Sequence, residues 1–126
     1  LWKRPSPELL SVGELAVHIA YGELITFFPD MSTELNIRTS SYYPYNLPNQ
    51  VVLNLTSQQL FEEVKRVHEA CKAKMLEMNP NLSERNTNRP DWTWEYSFIY
   101  QGFHIAYHTG QIYSVRHLLG HVTPDN

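Results

Sequence analysis

His104-Ile105-Ala106-Tyr107-His108-Thr109-Gly110-Gln111-Ile112 is the stretch whose spacing sets the fold. Two histidines four residues apart, with Ile105, Ile112, Val115 and Leu119 continuing the phase, occupy one face of a helix rather than alternate faces of a strand. The spacing predicts a helix over about 96–119, with Ile105, His108, Ile112, Val115 and Leu119 inward and Gly120 as its C-terminal cap. His117 and His121 repeat the i, i+4 spacing. At about 100° per residue, however, His117 lies roughly half a turn around from His108. The second pair is therefore assigned to solvent.

Working outward, Ser11-Val12-Gly13-Glu14 places a hydroxyl at a helix N-cap and a carboxylate three residues later. A helix over about 12–28 follows, ending before Pro29, with Leu15, His18, Ile19, Gly22 and Ile25 on one face. Thr56-Ser57-Gln58-Gln59 repeats the capping signal. Leu60, Val64, Val67, Cys71 and Met75 or Met78 then carry an apolar stripe to about 78, where Asn79-Pro80 stops the helix. Residues 29–55, with Pro29, Pro44 and Pro48 among Ser, Thr, Asn and Tyr, read as an irregular connection, with Val51–Leu55 as a short extended piece. Residues 79–92 are rich in Asn and charge and read as a solvated loop. Loops this long either shape a binding site or simply cover the surface.

The chain has 126 residues, the size of one domain, so 1–126 is read as a single helical domain. Its net charge of −3 offers no basic stripe for phosphates, which argues against nucleic acid. Cys71 is the sole cysteine, which excludes an intramolecular disulfide and a Cys-rich zinc site. No apolar run reaches the roughly 18 residues needed to span a bilayer, and no signal peptide is apparent, so no membrane partner and a cytoplasmic location are expected.

Two imidazoles on an inward stripe need partners, because burying an unpaired polar group costs roughly 1–3 kcal/mol. A metal ion is one answer. His104 and His108, joined by His18 from the first helix, would make a three-nitrogen site with room for another ligand. Hydrogen bonding within the core is the alternative, and His68 competes as a ligand from the second helix. Glu14 reads as a cap and Glu23 as a surface charge. Cys71 is either a nucleophile or, among Val64, Val67 and Met75, a small core hydrophobe. Gln111 either hydrogen-bonds a ligand histidine or packs at the helix interface. Trp92, Trp94 and Tyr96, like Tyr42, Tyr43 and Tyr45, either wall a pocket or pack onto the core. Asn54 and Asn81 begin glycosylation triplets, which are set aside because Thr56 already serves as a cap.

Together, Trp2-Lys3-Arg4-Pro5-Ser6-Pro7, the capped stretch from Ser11 to Ala20 with its His18, and His104 to Ile112 resemble the DinB-like (DinB/YfiT-like) family. The resemblance implies an up-down-down-up four-helix bundle with His18, His104 and His108 as ligands of a divalent metal ion, nickel or zinc. The family's first helix would precede the Trp-Lys-Arg-Pro stretch, so the chain is expected to be N-terminally incomplete or to be completed by a second chain as a homodimer. The family includes enzymes that transfer low-molecular-weight thiols such as bacillithiol or mycothiol, and hydrolases. A small-molecule substrate is therefore expected, attacked by water or thiol activated at the metal. The alternative is a non-catalytic, metal-binding stress-response protein.

Overall fold

The computed structural model describes residues 1–30 and 50–122. Most of this is helical: α1 (Val12–Phe27), α2 (Ser57–Met78) and α3 (Trp94–Leu118), with a small antiparallel hairpin of β1 (Arg85–Asn86) and β2 (Arg89–Thr93) leading into α3. The capping signals act where the sequence places them. Ser11 Oγ accepts from Glu14 N, and Glu14 Oε2 accepts from Ser11 N, so two orphan donors of α1 are satisfied reciprocally. Thr56 and Gln59 do the same for α2. Thr93 Oγ1 accepts from Tyr96 N, which starts α3 at Trp94, two residues before the expected boundary. Asn79 closes α2 in the left-handed region at φ 39°, and Gly120 at φ 82° follows α3.

Glu14 does more than cap. Arg4 Nε donates to its Oε2 at 3.0 Å and Val51 N to its Oε1 at 3.1 Å, so one buried carboxylate ties both flanking segments to the start of α1. Among the described residues, Val51–Leu55 pairs with no strand. Its backbone finds Glu14 rather than a neighbouring strand, while Val51, Leu53 and Leu55 pack against the core.

The helix α1 lies between the other two. Val17, Ala20, Leu24 and Phe27 join Leu60, Val67 and Cys71 of α2 and Trp94 in one core. Burying a side chain such as Leu24 or Val67 contributes about 1.5–3 kcal/mol. The other side of α1, with His18 and Gly22, meets α3. The stripe of Leu15, His18, Ile19, Gly22 and Ile25 is thus only one of two inward faces. A helix apolar nearly all round is a buried helix, which a search for a single stripe does not register.

Residues 79–92 also differ from the expected solvated loop. The hairpin pairs Arg85 with Thr93 and Asn86 with Arg89, with an irregular register between Arg85 and Asn86. Buried Asn86 donates to Ser97 Oγ at 2.8 Å and accepts from Asn88 N, while Asn88 Nδ2 donates to Thr26 O. These bonds fasten the hairpin to α3 and to the C-terminal part of α1. On the far side, a largely apolar groove of about 330 Å³ lies between α2 and α3, lined by Phe27, Cys71, Met75, Phe98 and Ile105. Among the described residues, no helix is long and apolar enough to cross a membrane. Tyr42, Tyr43 and Tyr45 lie outside the described residues.

Candidate metal centre

His18 comes from the middle of α1, and His104 and His108 from successive turns of α3. Their Nε2 atoms converge: His18 to His104 is 3.0 Å and His18 to His108 is 3.1 Å, and the three ligand atoms lie within 4.8 Å of one another. Nitrogens about 2.0–2.1 Å from a tetrahedral zinc ion stand roughly 3.3 Å apart. Two of the three separations are close to that value, and the trio is a group that could hold a divalent ion once His104 and His108 draw together.

The glycine at position 22 permits this approach. A Cβ there would fall 2.8 Å from His104 Cε1, so the imidazole rests against the bare backbone of α1. Gln111, one turn beyond His108, presents Oε1 at 2.6 Å from His108 Nδ1. A carbonyl oxygen only accepts, so His108 carries its proton on Nδ1 and turns an Nε2 lone pair toward the other two rings. His104 Nδ1 is buried without a hydrogen-bond partner.

Burial, then the neighbouring His108 and His104, pushes the His18 pKa down to about 4. Burial, then His108 and the Arg89 guanidinium, pushes His104 down to about 4. Both rings are neutral at pH 7. Several lone pairs aimed at one point repel unless a proton or a cation sits between them, and a divalent cation satisfies them together. The donor set fits nickel, zinc or another borderline metal that favours imidazole.

One cavity is lined by two of the histidines themselves, and a second reaches only Gln111, the partner of His108. The first, of about 30 Å³, is lined by His18, Tyr21, Tyr100, Gln101, His104 and Arg89. The second, larger and apolar at about 310 Å³, lies against Gln111, Leu9, Leu15, Val115 and Leu118.

Other candidates sit elsewhere. His68 is not part of the cluster; its Nδ1 lies 2.8 Å from Glu23 Oε1 at the edge of the α2–α3 groove. Glu23 is only 5% exposed, so the surface charge expected there is instead a buried carboxylate, its pKa raised by burial against the opposing effect of His68. Cys71 is buried, and burial followed by the Glu23 charge pushes its thiol to about 12, which leaves it protonated and inert. His117 and His121 are exposed, on the far side of α3 and beyond its end. Trp94 is core, whereas half-buried Trp92 packs edge-on against Tyr96 and Tyr100.

Arg89 and Gln101 escaped the sequence reading. Gln101 precedes His104 by one turn on the same stripe and was findable there. Arg89 depends on the hairpin, and no local pattern marks it. Compared with protein-family models, with curated proteins and with solved structures, the chain gives no match.

Proposed function

We propose that this chain is a DinB-like, metal-dependent protein that holds one divalent ion, nickel or zinc, on His18, His104 and His108. In this reading it acts on a small molecule as a low-molecular-weight-thiol S-transferase or a hydrolase. The observation that carries it is the convergence of three Nε2 atoms from two helices on one point, beside a small cavity lined by two of those histidines. The up-down-down-up four-helix bundle belongs to the same reading. A middle helix flanked by two others, with an apolar groove left between those two, has the shape of such a bundle lacking one helix.

The protein's contributions follow from its own residues. Three neutral imidazoles would fix the ion without offsetting its charge, and would leave a coordination position open. Gln111 holds His108 in the tautomer that presents Nε2. The backbone at Gly22 and the side chain of Tyr100, its ring stacked at 5.7 Å on that of His104, set the tilt of that ligand. When bound, the ion would supply the Lewis acidity that makes a thiol or a water molecule nucleophilic near neutral pH.

The test is a screen of metal-reconstituted protein with bacillithiol, mycothiol, glutathione and coenzyme A against electrophiles, alongside esters and amides without thiol. Thiol-dependent turnover identifies a transferase, and turnover without thiol a hydrolase. His108→Ala is expected to remove metal and activity together, whereas Cys71→Ala and His117→Ala spare both. Well under one ion per chain after reconstitution, or activity that survives complete metal removal, overturns the reading. Metal-replete protein inactive throughout indicates a non-catalytic metal-binding role.

A further inference from the structure

The 30 Å³ cavity beside the histidines is lined by two polar residues that the metal centre does not use, Arg89 and Gln101, the second of which also borders the α2–α3 groove. Arg89, half-buried at the start of β2, holds its guanidinium 4.0 Å above the Trp92 ring. Stacking of this kind immobilises the guanidinium plane and leaves the in-plane N–H fork to bind a ligand. Among the described residues Arg89 pairs with no carboxylate. It is also close enough to His104 to oppose that ring's protonation. Three neutral ligands would leave an ion's double positive charge intact, and Arg89 adds another positive charge nearby. An anion between them would relieve the repulsion.

Gln101 supplies the second observation. Its Nε2 donates to Gly22 O at 3.0 Å and to Thr26 Oγ1 at 2.6 Å, and the carbonyl at Gly22 can only accept, so the amide cannot be turned around. Its Oε1 is thereby left buried with no hydrogen-bond partner, in a residue only 8% exposed. A buried acceptor of this kind costs about 1–3 kcal/mol until a donor reaches it. At roughly 10–15 Å³ per water, the cavity has room for about two water-sized groups, so it takes the polar end of a ligand whose remainder lies outside it.

We propose that Arg89 and Gln101 form an anion subsite next to His18 and His104, and that the small molecule taken at this centre carries a carboxylate with an O–H or N–H donor on the adjacent atom. The carboxylate lies in the Arg89 fork and the donor faces Gln101 Oε1. As the specificity element of the metal centre, the subsite rests on the functional reading above, but its binding chemistry does not require the ion.

The experiment titrates glycolate, which carries a carboxylate and an adjacent hydroxyl, into zinc-loaded and metal-free protein, with ethylene glycol as the uncharged control. Tryptophan fluorescence reports binding, because Trp92 carries the Arg89 guanidinium. Glycolate is expected to give a saturable change that ethylene glycol does not. Its affinity should fall at least tenfold in Arg89→Gln, as the loss of a charge-assisted pair requires. Arg89→Lys, which keeps the charge and loses the fork, should lie between, and Arg85→Gln on the same hairpin should match the parent. Gln101→Leu should weaken glycolate more than acetate, which lacks the hydroxyl. No saturable response in either form of the protein, or glycolate binding equal in Arg89→Gln and parent, overturns the subsite. Cobalt(II) absorption reads the metal centre separately. Protein that takes no cobalt but still binds glycolate through Arg89 refutes the metal reading and sustains the subsite; cobalt binding with glycolate indifferent to Arg89 does the reverse.

Discussion

A Cβ at Gly22 would stand 2.8 Å from His104 Cε1, so an alanine there must displace the His104 ring. The same change removes a mid-helix glycine, which should favour α1 by up to about 1 kcal/mol. Gly22→Ala is therefore expected to keep or raise stability in urea while lowering zinc affinity roughly tenfold or more, measured by competition with a chromophoric chelator. Unchanged affinity would show that His104 is free to move and that the close contact is incidental. Gln111 acts on the neighbouring His108 by a different route. Gln111→Leu removes the acceptor that fixes the His108 tautomer, and losses of roughly 10–100-fold in metal affinity are typical when such an outer partner goes. Gln111→Glu retains an acceptor and should recover most of it. If Leu and Glu behave alike, the 2.6 Å contact does not orient the ligand.

At the scale of elements, α1 is anchored through Glu14. Burial alone would raise its pKa, but the Arg4 guanidinium, Ser11 and the Val51 amide overcome that and hold the carboxyl below the ordinary value of 4.5. A depressed carboxylate contributes stability that is complete above its unfolded pKa and is lost as pH falls through the folded value. Glu14→Gln should therefore cost about 3–5 kcal/mol at neutral pH, the usual result of breaking one side of a buried ion pair, and should flatten the acid limb of stability against pH. A variant with the parent's acid limb would mean that Glu14 is not the group responsible. This element was legible because capping is local: Ser11 and Glu14, and Thr56 and Gln59, announce their helices within four residues. His18, His104 and His108 were legible through helical phase and the family resemblance. The hairpin was not. Its β1 is two residues long, its register is irregular, and Pro90 sits within β2, so composition reads it as loop. Arg89 was hidden with it, because its place beside His104 follows from hydrogen bonds at Asn86 and Asn88 to distant residues. Glu23 looked like a surface charge because α1, buried nearly all round, has no polar face against which to judge it.

Across the whole molecule, the candidate centre and the main core lie on opposite sides of α1. Val17 and Leu24 of α1, Val67 of α2 and Trp94 at the start of α3 form that core without any of the three histidines. The histidines instead join α1 to α3 across 86 and 90 residues of sequence. An unfolded chain does not assemble such a site, so an ion held there would bind the native state selectively and its binding free energy would add to stability. Free zinc at about a thousand times its dissociation constant contributes about 4 kcal/mol. For a domain of this size that is a rise in Tm on the order of 10 °C. Because the main core is independent of the site, chelated protein should keep its helical circular dichroism and melt at the lower temperature rather than unfold outright. His18→Ala should melt like the chelated parent and gain nothing from zinc, since it removes the one ligand that α1 contributes. A zinc-dependent rise that persists in His18→Ala would place the ion elsewhere, and collapse of the helical signal on chelation would mean that the core cannot hold α1 without the centre.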